Sequence, residues 1–173
     1  MQGPMMQDLL AERFKLKIHR ETKTIPVYAL VQSGRGIKLR PFREGSCIPV
    51  DPSIFPPPPA TEKSCHARGR REGMMEIVDA QSMTVSEFSK IFLHGALDRP
   101  VIDRTGITGT YDFHLEYGID QSTPRFPTSD GAGDRVGPSI FTAVQEQLGL
   151  KLEATTGPGE ILVIDHAERP SEN

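Results

Sequence analysis

The residues in this 173-residue chain that lend themselves to chemistry are five histidines, a few neighbouring carboxylates, one basic run and two cysteines. In "IDHAE", Asp165 stands beside His166, but adjacent residues on a strand point to opposite faces, which argues against a catalytic dyad. His114 alternates with apolar residues in "YDFHLEY" and is expected on a solvent face, and His19 resembles it in position. His94 falls late in a helix, where an imidazolium suits the negative end of the dipole, and His66 lies in a linker. No nucleophile elbow, HExxH or P-loop occurs. The "DGAGD" turn, with Asp130 and Asp134, lacks the alternating ligands and closing Glu of an EF-hand and reads as a solvated turn. Asp103 and Asp112 flank a hairpin; paired carboxylates can serve acid–base work, but strand-end aspartates more often cap turns. Arg68, Arg70 and Arg71 suit an acidic partner, yet lack the interleaved aromatics of a nucleic-acid binder, so a solvated linker end is expected. These residues assign no catalytic group, cofactor or metal site, and the chain reads as a non-enzyme.

Cys47 and Cys65 bracket "SCIPVDPSIFPPPPATEKSC". Neither belongs to a CxxC, and His66 is too close to Cys65 for a usual zinc spacing. A pair around a proline loop is more naturally a disulfide than two free thiols or a metal site. A disulfide would place the chain in an oxidising compartment.

The elements that carry these residues follow from apolar spacing. In "SMTVSEFSKIFLHGAL", Thr84 and Glu87 form a capping box, and Met83 and Phe88 stand at the positions of a hydrophobic staple. Val85, Phe88, Ile91, Phe92 and Leu97 supply the helix's apolar face, and Pro100 stops it. "MMEIVDA", "PVIDRT" and "GTYDFHLEY" read as strands, the last with Tyr111, Phe113, Leu115 and Tyr117 on its buried face. The two ends of the chain echo each other. Residues 8–31 slide onto 142–165 by 134 positions without a gap. In each copy a helix (Met6, Leu10 and Phe14; Ile140, Val144 and Leu148) leads to an alternating strand, a turn and a final strand. Gly149 is placed as a left-handed helix stop, and "GPGE" as the turn.

The expected class is therefore α+β: small mixed sheets covered by two or three helices, with a duplicated helix–strand–strand unit. Residues 5–40 form an N-terminal helix–hairpin unit, 41–72 a Pro-rich linker, 73–167 a βαββαββ module and 168–173 a tail. With 15 Pro, 16 Gly and 36% hydrophobic residues, a sizeable part is expected to be loop. A net charge of −3 gives no global case for nucleic acid, and no apolar run reaches the roughly 18–20 residues of a membrane span. The first 25 residues mix charges and lack the apolar centre of a signal peptide, which leaves a cytosolic protein or a mature fragment without its leader.

"LLAERFKLKIHRETKTIPVYALV", "RPVIDRTGITGTYDFHLEY" and "IFTAVQEQLGLKLEATTGPGEILVIDHAERPSEN", with the Cys-bracketed loop, resemble a family of unknown function greatly expanded in soil Acidobacteria. The resemblance covers nearly the whole chain. It implies a secreted or periplasmic protein, usually longer at the N-terminus, with some relatives fused to membrane-bound peptidase sensors of the BlaR type. It carries over no catalytic residue. In element order, residues 73–167 are also similar to the secretin and TonB short N-terminal domain, which implies protein–protein signalling or assembly contacts.

What remains is surface suited to pairing. Sheet edges bearing Leu16, Ile18, Val27, Ala29, Leu150, Leu152, Ile161 and Val163 would accept a partner strand through main-chain hydrogen bonds. The expected role is a non-catalytic extracytoplasmic interaction or sensory module with a protein partner, no nucleic acid and no cofactor. The alternatives are a secreted enzyme or enzyme accessory, and a module that binds a small ligand or glycan.

Overall fold

The computed structural model describes residues 4–48, 65–124 and 137–169. Most of the proline loop and the "DGAGD" turn with Asp130 and Asp134 lie outside the described residues. In chain order the elements are α1 (Pro4–Phe14), β1 (Lys17–Gln32), β2 (Arg40–Pro41), β3 (Ala67–Glu72) and β4 (Met75–Met83). There follow α2 (Val85–Phe88), a π-helical segment (Ser89–Leu93), α3 (His94–Ala96), β5 (Val101–Asp103), β6 (Tyr111–Gly118), α4 (Ile140–Leu148) and β7 (Leu150–His166). The strands make two sheets, ordered β5-β1-β7 and β2-β6-β4-β3. β5 runs parallel to β1, whereas β2, β6, β4 and β3 pair antiparallel. This is the α+β class with mixed sheets that the sequence predicts. The chain divides into a larger unit, residues 26–155, and a smaller one, residues 1–25 with 156–173.

The larger unit holds the core. β6 turns Phe113, Leu115 and Tyr117 inward and His114 outward, and Phe113 stacks on Phe88 with centroids 4.1 Å apart. Each such ring or leucine taken out of water contributes about 1.5–3 kcal/mol. The Thr84–Glu87 capping box forms as expected, with both reciprocal hydrogen bonds present. The apolar face of that helix needs correcting. Ile91 is 56% exposed, and Leu93 and Ala96 are buried in its place. The cause is the π segment: its wider turn carries the buried stripe from Phe88 to Leu93, five residues on, rather than to Ile91.

The end-to-end echo is visible as structure. A shift of 134 carries α1 onto the region of α4, and β1 (Lys17–Gln32) onto residues 151–166 of β7. Gly149, between α4 and β7, has φ 69°; its counterpart Lys15, between α1 and β1, has φ 50°. Both copies thus pass from helix to strand through one left-handed residue. The strand–turn–strand reading of each copy is corrected, because β1 and β7 are each one continuous strand. "GPGE" does not turn: neither Gly157 nor Gly159 has positive φ. Gly159 instead makes room for Ile25, whose side chain would lie 2.1 Å from a Cβ there. Pro158 is tolerated because β7 is an edge strand and needs no donor on its open side. The module beginning at residue 73 therefore ends in one strand, not two.

Two features hold the described residues on either side of the proline loop. Cys47 and Cys65 form a disulfide with Cα atoms 4.9 Å apart. The basic run Arg68–Arg71, expected as a solvated linker end, lies in β3 and pairs with β4. Arg70 bonds Asp79 and Glu72, and Arg71 stands 3.7 Å from the buried Glu76, whose carboxyl is pushed up by burial.

Two stability measurements follow. Reducing the disulfide, which spans 18 residues of sequence, should lower the unfolding free energy by about 3 kcal/mol in the chain-entropy account, read from urea midpoints. Lys15→Gly should stabilise by up to about 1 kcal/mol, since a left-handed non-glycine residue is strained. Gly149→Ala should destabilise by about 2 kcal/mol or more, because its Cβ would meet the Gly36 carbonyl at 2.0 Å. Equal effects at the two positions would contradict the shared geometry.

Candidate functional site

The β6-β4-β3 part of the second sheet carries a cluster of charged groups on its outward face. Register places His114 opposite Asp79, and Asp79 opposite Arg68. His114 Nδ1 lies 2.6 Å from Asp79 and its Nε2 lies 3.1 Å from Glu116, while Arg70 donates to Asp79 at 3.0 Å. Both ring nitrogens face carboxylates, which favours the doubly protonated ring, and the hydrogen bond to Asp79 raises the His114 pKa most. An imidazolium engaged on both sides is a clamp, not a free base. His19 repeats the arrangement in the smaller unit, with Asp165 at 2.8 Å and Glu21 at 2.9 Å, and its pKa is raised for the same reason. His166 bonds Glu168 at 2.8 Å. For His19 and His114 the His-x-Glu spacing puts both side chains on one face of a strand, whereas Glu168 lies just past the end of β7.

Asp103 and Asp112 are engaged separately. Asp103 accepts from the Thr105 amide and hydroxyl at 2.9 and 2.7 Å, a turn cap as expected. Asp112 accepts from the Ser82 amide at 3.1 Å. Ser82 sits in the irregular stretch of β4 between Ala80 and Met83 and has φ 55°, a strained conformation for a residue with a side chain.

Beside this bulge opens a cavity of about 550 Å³ whose polar lining includes Lys38, Arg40, His66, Gln81, Asp112 and Gln147. A second cavity, of about 470 Å³, shares Leu39, Arg40 and Asp112 with it and adds Arg43 and Ser46. Lys38 donates to the Glu146 carbonyl at 2.6 Å. Gln147 exchanges two hydrogen bonds with the Glu116 backbone, at 2.9 and 2.8 Å, and so plugs the edge of β6. Lys38, Arg40 and Arg43 escape a motif search; the only trace in sequence is the basic spacing of "IKLRPFR". Among the described residues no group of three or more His, Cys, Asp or Glu is arranged to hold a metal ion. No described helix is long and apolar enough to cross a membrane.

The sheet-edge residues separate. Val27 and Ala29 are corrected: β1 is the central strand there, between β5 and β7, and both side chains are buried. Leu150 and Leu152 lie on the edge strand β7 with their side chains in the core. Leu16, Ile161 and Val163 are half-buried and Ile18 is exposed, all in the smaller unit.

The model of a family described as a protein of unknown function, DUF3738, matches residues 1–167, and the chain belongs to that family. No curated protein and no solved structure matches the chain.

The His114 clamp predicts a pH dependence. Its folded pKa is raised, so its stabilising contribution is complete below about pH 6.5 and is lost as pH rises through the folded value. Urea midpoints should therefore fall as pH rises above about 6.5, and His114→Gln should flatten part of that slope. An unchanged slope in the variant would contradict the clamp.

Proposed function

We propose that this member of the family is a non-catalytic, extracytoplasmic interaction module that docks a protein partner on its smaller unit. The observation that carries the reading is an internal comparison. Ile140, Val144 and Leu148 of α4 are 0%, 0% and 3% exposed. Their counterparts one repeat earlier, Met6 and Phe14 of α1, are 45% and 38% exposed, and Leu10 is half-buried. α1 thus has the pattern of a covered helix without the cover. Leu9, Ile18, Leu162 and Ile164 are also exposed in this unit. Several large apolar side chains left in solvent on one unit suit a contact site.

The strands offer the means. Residues 17–25 of β1 precede the stretch that β5 pairs, Tyr28–Leu30, and β7 is an edge of its sheet. A two-stranded ribbon is marginal in water and gains most from a third strand. The disulfide supports an oxidising compartment, as does the resemblance to a secreted family. The partner's part would be an extended segment with apolar side chains at alternate positions.

A photoreactive residue at position 162, in the chain expressed in its native envelope, tests this. A discrete protein adduct should form there and not at the exposed Lys90 of the larger unit. Ile164→Lys should abolish the adduct without changing thermal stability, since lysine on an edge disfavours strand addition. The same adducts from both positions, or an adduct indifferent to Ile164→Lys, would overturn the reading.

A further inference from the structure

We propose that the two adjoining cavities on the larger unit form a binding site for a small acidic sugar, a polyhydroxylated ligand carrying a carboxylate or phosphate. The combined lining is charged in an unbalanced way. Asp79 already has both oxygens occupied, by His114 and Arg70. Arg40 and Arg43 form no ion pair among the described residues, and Lys38 uses one of its three donors on a carbonyl. Three cations along one segment therefore face the cavities with few anions to answer them. That surplus calls for an anionic group, and guanidinium groups bind carboxylate or phosphate through paired hydrogen bonds.

A bare anion does not complete the match. Asp112 lines both cavities and lies opposite Arg40 in the β2–β6 pairing. One of its oxygens holds the Ser82 amide, and the other has no partner among the described residues. A carboxylate accepts only, so a hydrogen-bond donor on the ligand suits it, and a sugar supplies such donors as hydroxyls. Anionic charge with neighbouring hydroxyls is the chemistry of a uronic acid or a sugar phosphate. Cavities of about 550 and 470 Å³ lie in the range that holds small ligands.

The fold holds the lining in place. The amide of Lys38 donates to the Leu148 carbonyl, and that of Phe42 to the Thr110 carbonyl, which pins the cationic segment to α4 and to the start of β6. The disulfide joins the residue after Ser46 to the residue before His66, so one covalent bond ties the two sides of the site together. The strained Ser82, held by Asp112, fixes that carboxylate's direction.

The test is an NMR titration of the full chain at low ionic strength with glucuronate, glucose 6-phosphate and glucose, each to about 10 mM. At least one acidic sugar should shift the amides of residues 38–43 and 112–114, and glucose should not. The two acidic arms decide between carboxylate and phosphate. Arg40→Gln should weaken binding about tenfold or more, while Lys151→Gln, an equal loss of charge at an exposed position elsewhere, should leave it unchanged. Asp112→Asn, which keeps an oxygen for the Ser82 amide, should remove the preference for glucuronate over cyclohexanecarboxylate. No shift with either acidic sugar, equal shifts with glucose, or equal losses in the Arg40 and Lys151 variants would each overturn the proposal.

Discussion

The left-handed turn at Gly149 is the constraint on which most of the larger unit depends. Its amide closes the end of α4 on the Val144 carbonyl, and β7 begins at the next residue. Its own carbonyl accepts from Ser33 at the end of β1, while the neighbouring Leu148 carbonyl accepts from Lys38. The Leu148–Gly149 junction therefore ends the helix, leads into the edge strand and holds both Ser33 after β1 and the segment that lines the cavities. A side chain there meets the Gly36 backbone as well as the strain of positive φ. The buried face of α4 and the buried starts of β7 follow from this junction.

Much of this was legible in sequence where one local signal decides the outcome. The capping box at Thr84, the alternation along β6, the helix stop at Gly149 and the pairing of Cys47 with Cys65 each rest on a few neighbouring residues, and each appears in the structure. The misreadings share a different cause. "GPGE" has turn composition, but Gly159 answers to Ile25, a residue 134 positions away in the chain, and no local rule reports that. Ile91 falls on the buried face at 3.6 residues per turn, whereas the π segment widens the turn and leaves it exposed. Val27 and Ala29 have the composition of an edge as much as of a centre, and only topology tells a central strand from an outer one.

The candidate sites were less legible than the fold. Histidines draw attention by type, yet His19 and His114 are held by two carboxylates each and serve as clamps between strands. The cavity residues are an ordinary lysine and two arginines in a short basic stretch, brought beside Asp112 by the pairing of β2 with β6. Chemistry here depends on which charges remain unanswered after folding, a quantity that spacing alone does not carry. The repeat is legible in its register and in its helix-to-strand junction, though not in the turn expected within each copy, and its value lies in the comparison it permits. Two copies of one helix–strand pattern differ in burial, and the difference points to a contact surface on the smaller unit.

Native-state amide hydrogen exchange on the isolated chain tests that asymmetry most directly. Amides of residues 17–25 and 156–166 should exchange by local opening, orders of magnitude faster than those of Ile77–Ala80 and Phe113–Tyr117, which should require global unfolding. Equal protection in the two sets would mean that the smaller unit is already stable without a partner, and would contradict the account.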